Sequence, residues 1–336
     1  MKTIPRLLGM ACALAFASTA SAFVQFTTTP YPDQGSRLQW KRRTVAYAVN
    51  MSAFTGQGCS SGDAASQLAQ ASFPAWAEAQ RQGATAPCTD FKFVYAGETA
   101  RTDLGYDATK PSGNINLVVF RRGSCTDRSI VPADDACVAT PGACAAKYNC
   151  WEHGTSSGVE ANTLALTTVT YDTQTGEILD ADMELNGWSG DTSVAQDGKN
   201  GWYFTCGGPG LATCGAIPYG QSACNWRDVG NTITHEAGHM LGLDHVCMST
   251  YPPPYNACPW PVPVMAPTSS LGETVKRVLT PDDVEAVCTI YPAGGSTQAQ
   301  STASSGCGAG RAGAGALVAG LVLCALRGCF RARRRA

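Results

Sequence analysis

Apolar and polar positions alternate most clearly over Thr44–Asn50 (TVAYAVN), where the β-formers predict a first strand. Phe91–Tyr95 and Ile115–Phe120 predict two more, and the second is so continuously apolar that it belongs in mid-sheet, covered on both faces. Thr163–Tyr171 and Glu177–Asn186 flank Asp172-Thr173-Gln174-Thr175-Gly176 and predict a strand pair. In the latter, Leu179, Ala181, Met183 and Leu185 share one face, while Asp180, Asp182 and Glu184 share the other. Elsewhere the period lengthens to that of a helix. Ala64–Gln80 carries Leu68, Ala71, Ala75 and Ala79 at helical spacing, with Pro74 expected to kink it. Val229, Ile233, Ala237 and Met240/Leu241 form the stripe of a helix running from about Asp228, its N-cap, to Leu241. Thr280 caps a final helix, Pro281–Cys288, with proline in its first turn. Ser124–His153 and Trp188–Trp226 are rich in Cys, Gly or Pro and show no period, so both read as loop regions. These elements add up to an α+β fold: a twisted mixed sheet of about five strands, helices and loop insertions.

The two ends carry different patterns. Met1–Ala22 has Lys2 and Arg6, an apolar run from Leu7 to Ala17, and Ala20-Ser21-Ala22 as a small-x-small cleavage signal. That is the pattern of a secretory signal peptide, so an exported mature protein is expected from about Phe23. At the other end, residues 293–305 (AGGSTQAQSTASS) are small and polar and read as a flexible linker. Gly306-Cys307-Gly308 follows, then an apolar run from Ala312 to Leu326 and Arg327, Arg331, Arg333, Arg334 and Arg335. One reading is a short membrane-anchoring helix with its arginines on the cytoplasmic side. The same residues, 306–336, resemble the MYXO-CTERM sorting tail of myxobacterial surface proteins. The resemblance implies cell-surface delivery with cleavage near the cysteine.

About 270 residues between the ends suffice for one large domain, 23–292. A net charge of −2 with mixed signs offers nothing to nucleic acid, and membrane contact is expected only through the tail. Nothing suggests an oligomer; a monomer is expected. Leaving aside Cys12, Cys307, Cys324 and Cys329, twelve cysteines remain, an even number that implies disulfides made in an oxidising compartment. Four of them lie in the aperiodic stretch of about 124–153, expected to be a disulfide-pinned insertion. Their connectivity is open, and no CxxC pair among the twelve favours a cysteine-ligated zinc site.

The chemistry is concentrated in His235-Glu236-Ala237-Gly238-His239-Met240-Leu241-Gly242-Leu243-Asp244-His245, which holds three of the chain's four histidines. Residues four apart share a helical face, so His235 and His239 can reach one ion. His245 can join them only if the chain turns back, and Gly242 stands where a left-handed residue would end the helix at little steric cost. Three imidazoles suit Zn²⁺ and leave one position open for water. Glu236, beside the first ligand, can act as general base on that water and later deliver a proton to a leaving amine. With this chain's own frequencies of His, Glu and Gly, the five fixed positions arise by chance roughly once per million such chains.

This segment resembles the metzincin zinc-protease signature HExxHxxGxxH. The resemblance extends over most of residues 43–292 and is closest to the bacterial matrixin-like group, partly through Gly176-Glu177-Ile178 and Asp180–Asn186. It implies a zincin domain with one catalytic zinc on His235, His239 and His245, Glu236 as catalytic base, and Met265, in Val264-Met265-Ala266-Pro267, as the Met-turn beneath the metal. It also implies that Thr163–Thr170 is an antiparallel edge strand along which an extended polypeptide substrate pairs. Phe23–Arg43 has no cysteine, so latency through a preceding thiol is not expected. Asp180, Asp182 and Glu184 are a candidate Ca²⁺ set, against which stands the plainer reading of a solvent-facing acidic face. His153 reads as a surface or structural histidine, and Asp244 either as a partner of the neighbouring ligand or as an exposed turn residue. The activity expected is that of an exported zinc metalloendopeptidase. The alternatives are a non-catalytic Cys-rich surface adhesion protein with structural zinc, or a zinc hydrolase acting on a non-peptide bond. Glu236 is the residue that a purely structural site would not need.

Overall fold

A computed structural model describes residues 23–29, 35–54, 60–140, 142–152, 163–186, 203–206, 226–248, 258, 261–270, 272–295 and, as backbone, 319–328. The signal-peptide segment, His153, most of the linker and most of 188–226 lie outside the described residues. In chain order the elements are β1 (Val24–Gln25), β2 (Thr44–Asn50), α1 (Ser61–Gln67), a π-helical segment (Leu68–Ser72), α2 (Phe73–Ala77), β3 (Lys92–Glu98) and β4 (Asn116–Arg121). Next come α3 (Ala143–Lys147), β5 (Thr163–Asp172), β6 (Ile178–Asn186), β7 (Tyr203–Thr205), β8 (Trp226–Asp228) and α4 (Val229–Met240). The last are β9 (Leu243–Asp244), β10 (Thr268–Ser269), α5 (Pro281–Ile290) and β11 (Ala319–Gly328).

Five strands, in the order β5-β6-β4-β2-β3, form the body of a seven-stranded mixed sheet that β11 and then β10 extend beyond β5, so β5 is not the edge strand expected of it. Within these five, all neighbours are parallel except β5 and β6, the pair joined by a tight turn. β4 lies at the centre and is buried at every residue, as its unbroken apolar run requires. The kink expected at Pro74 takes the form of a π-helical segment just before it, a register in which the missing proline N–H is tolerated. A core of Trp40, Trp76, Phe73, Phe120, Met183, Ile233 and Met240 fills the space between sheet and helices.

Cysteine pairing follows the expectation for an oxidising compartment. Cys88–Cys288 ties the chain before β3 to α5 across 200 residues, a loop long enough to stabilise by about 5 kcal/mol. Cys125–Cys150 and Cys137–Cys144 pin the insertion, and with Val131 and Ala145 they are its own small core. Cys247–Cys258 follows the histidine segment, and Cys206 is also disulfide-bonded.

Two further expectations need correction. Asp180, Asp182 and Glu184 do not face solvent; all three are buried. Asp182 accepts from the backbone N–H of Gly105 (2.6 Å) and Leu117 (2.8 Å), and Glu184 from Arg121 Nε (2.6 Å). The loop between β3 and β4 covers this face, which the period-two pattern could not reveal. A bulge also shifts the other face: Thr170 pairs with Asp180 and Tyr171 with Ile178, so Leu179 is the extra residue and Ile178 takes its place in the core. The second correction concerns the tail. Its apolar run is not a helix where it is described; Ala319–Gly328 is a strand, paired antiparallel with β5. β5 offers a full row of backbone groups, whereas a short, uncapped, Gly-containing helix satisfies its own backbone poorly. No helix among the described residues is long and apolar enough to cross a membrane.

Candidate metal centre

α4 starts where Asp228 accepts from Asn231 N (2.6 Å), the expected N-cap, and Arg277 pairs with the same carboxylate. The helix is buried on every side, not only along its apolar stripe. Its polar residues are satisfied locally: Thr232 and Thr234 hydroxyls return to the carbonyls of Asp228 (3.0 Å) and Gly230 (2.7 Å). Asn231 donates to Ser269 Oγ and accepts from Lys276 N. At the other end, three distant groups cap the orphan carbonyls. Trp40 Nε1 donates to Met240 O (2.7 Å), the Tyr291 hydroxyl to Leu241 O (2.8 Å), and Phe26 N to Gly242 O (2.8 Å).

The turn that follows brings back the third histidine. Gly242 has φ +92°, the left-handed conformation the sequence demanded, and a Cβ there would lie 2.3 Å from Leu38 O. β9 then pairs with β1, holding the chain as it reaches His245. Asp244 is half-buried and accepts from His245 N (2.6 Å), tightening the same turn.

His235, His239 and His245 converge. Their Nε2 atoms form a triangle with edges of 3.1, 3.2 and 3.2 Å. Four ligands at ~2.05 Å in a tetrahedron stand about 3.3 Å apart, so the triangle fits three corners around zinc. The other ring nitrogens fix the tautomers: His235 Nδ1 meets Val264 O (2.5 Å) and His239 Nδ1 meets Leu243 O (2.7 Å). Carbonyls only accept, so these Nδ1 atoms carry the protons and the Nε2 lone pairs of both rings face one point. Burial lowers the pKa of His235 well below the ordinary range and that of His239 to about 4, so neither needs to shed a proton at neutral pH to bind a metal. Among the described residues this is the group of histidine, cysteine and carboxylate side chains whose ligand atoms are close enough to hold a metal ion. Asp180, Asp182 and Glu184 do not form such a group, and Glu184 is committed to Arg121.

Glu236 is fully buried. Its Oε2 accepts from Thr167 Oγ1 (2.6 Å) on β5, while Oε1 has no hydrogen-bond partner. Burial pushes its carboxyl up to about 8, against the lowering effect of Thr167. Glu236 Oε1 is thus a buried polar atom left unsatisfied on the residue next to the first histidine of the triad.

Met265 lies beneath the helix. Its sulfur packs so closely on Gly238 that a Cβ there would sit 2.3 Å from it and 2.9 Å from Trp76. The Met265 segment is held by residues that the motif does not include. Asp283 accepts from Val264 N (3.0 Å) while completing a capping box with Thr280. Buried Lys276 donates to Ala266 O and Thr268 O. Thr280 and Asp283 stand three apart before an apolar run, so the capping box was available in the sequence. Thr167 and Lys276 carry no local signature.

Comparison with protein-family models finds no match to this chain, and no curated protein matches it either.

Proposed function

We propose that this chain is an exported zinc metalloendopeptidase of the metzincin type, most similar to the matrixin-like group. The observation that carries the reading is the pairing of three convergent Nε2 atoms with a buried glutamate oxygen that has no partner. His235, His239 and His245 would hold the zinc. The chemistry a bound zinc supplies is Lewis acidity, which polarises a substrate carbonyl and acidifies water. Glu236 takes the proton from the attacking water at Oε1 and returns it to the leaving amine. Thr167, donating to Oε2, keeps the carboxylate turned so that Oε1 is the free atom. Among the described residues the group has three protein ligands and no fourth, which supports a catalytic over a structural site. The side of β5 away from β6 accepts an extended strand, here β11, and Thr167 of β5 holds Glu236; this supports an extended polypeptide as substrate, recognised through its backbone.

Cleavage of casein by the purified, zinc-loaded chain tests the reading, with Glu236→Ala and a chelator as controls. Cleavage lost in both, in a variant that still binds one zinc, is expected. A zinc-loaded wild type no faster than Glu236→Ala on casein and on a broad peptide library would overturn the proposal.

A further inference from the structure

The edge that a substrate would use is already taken by the chain itself. β11 runs antiparallel along β5, from Ala319 opposite Asp172 to Leu326 opposite Ala165. Its far end runs parallel to β10, with Arg327 opposite Thr268 and Gly328 opposite Ser269. These neighbours are the two sides of the site. β5 carries Thr167, whose hydroxyl holds Glu236, and β10 directly follows the Met265-Ala266-Pro267 segment. In register, Cys324 lies opposite Thr167, and α4, which bears His235 and His239, packs against this strand. The segment therefore spans the site in the extended, backbone-paired form that strand addition requires of any peptide ligand.

We propose that residues 319–328 are the resident ligand of the substrate edge and hold the enzyme latent in cis. The proposal rests on the endopeptidase reading for its kinetic consequence, but not for the occupancy itself. Strand addition depends mainly on main-chain hydrogen bonds, so the tail and a substrate compete for the same ladder. The competition is unequal. Residues 296–305, after the closing segment that follows α5, are small and polar in sequence, the composition of a linker. A linker of that kind presents its ligand at an effective concentration on the order of 1 mM. A tail with an intrinsic Kd of ~0.1 mM would then leave the edge free only about a tenth of the time. Removing or displacing the tail releases the edge. This supplies a means of latency to a chain whose Phe23–Arg43 segment has no cysteine to offer a metal.

The test is made on the full chain carrying Val322→Pro and Leu323→Pro together. Successive residues of a strand point their N–H groups to opposite sides, so one of two adjacent prolines must break a bond to β5. Two readouts are taken: hydrogen exchange at residues 163–172, and casein cleavage with Glu236→Ala as background. Faster exchange along β5 and about a tenfold rise in cleavage are expected. A synthetic peptide of residues 319–328 added to the variant should reverse both. If the double variant fails to fold, a specific protease site placed within 296–305 lets the tail be severed and washed away after folding. Unchanged exchange along β5 in a folded variant would overturn the occupancy. Faster exchange with Glu236-dependent cleavage still at the wild-type rate would overturn latency. Faster exchange with no Glu236-dependent cleavage by either protein would instead sink the endopeptidase reading and leave the tail on its edge.

Discussion

Gly242→Ala tests whether the turn after α4, rather than the helix itself, is what completes the metal site. At φ +92° an L side chain is strained by about 1–2 kcal/mol. The added Cβ would also lie 2.3 Å from Leu38 O and 3.1 Å from Leu38 C, backbone atoms that cannot swing aside. Overpacking of this kind adds about 1–3 kcal/mol, for a total of about 2–5 kcal/mol. Gly83→Ala isolates the first contribution: Gly83 has φ +81°, and a Cβ added there would meet nothing within 4 Å. It should cost only about 1–2 kcal/mol. Relief of the Leu38 clash needs a displacement of about 1 Å, three residues before His245, whereas metal ligands tolerate about 0.2 Å. Gly242→Ala should therefore also weaken zinc by at least about tenfold, and Gly83→Ala should not. Denaturant unfolding with disulfides intact and chelator present gives the stabilities, and competition with a chromophoric chelator gives the affinities. If Gly242→Ala costs no more than Gly83→Ala and binds zinc like wild type, the turn does not place His245.

Thr167→Val removes the 2.6 Å bond to Glu236 at nearly constant volume; kcat on casein should fall about tenfold with zinc content unchanged, measured by steady-state kinetics and metal analysis. Asp180→Asn addresses the buried carboxyls of β6. Burial raises Asp180 to about 6, above its value in the unfolded chain. A raised carboxyl contributes its stability below about pH 4 and loses it as pH climbs through 6, so wild type should lose up to about 3 kcal/mol over that interval. The asparagine variant should lose less and be the more stable at pH 8, as read by thermal unfolding across pH. Glu184→Ala leaves Arg121 buried without its partner and should cost about 3–5 kcal/mol in denaturant unfolding.

The motif and the fold class were legible for different reasons. His235, Glu236, His239 and His245 could be read because helical geometry and one glycine fix their relations within eleven residues. Local rules sufficed for the caps as well: Asp228, Thr280 and the left-handed Gly242 stand where their chemistry places them. β2, β4, β5 and β6 followed from their pattern, and β4's central place from its lack of alternation. What escaped was decided by distant segments. Alternation in β6 separates two faces but does not say that the loop around Gly105 covers the acidic one. Nor can it anticipate a bulge that exchanges Leu179 for Ile178. The tail's apolar run reads as a helix until a strand with a free edge is set beside it. Its length is compatible with either form; pairing decides.

The same distinction separates the metal ligands from what aims them. Sequence spacing puts His235 and His239 on one face, but it does not orient an imidazole. His235 is turned by Val264 O, and Val264 is held by Asp283, the residue that caps α5. α5 is in turn tied to the chain before β3 by Cys88–Cys288 and lends Tyr291, just past its end, to cap Leu241 at the end of α4. His239 is turned by Leu243 O in β9, which β1 holds in place. Each ring thus takes its direction from a carbonyl outside its own helix, and each carbonyl from a pairing made across the sequence. The ligand set could have been written from eleven residues; a triangle of 3.1–3.2 Å requires nearly the whole domain.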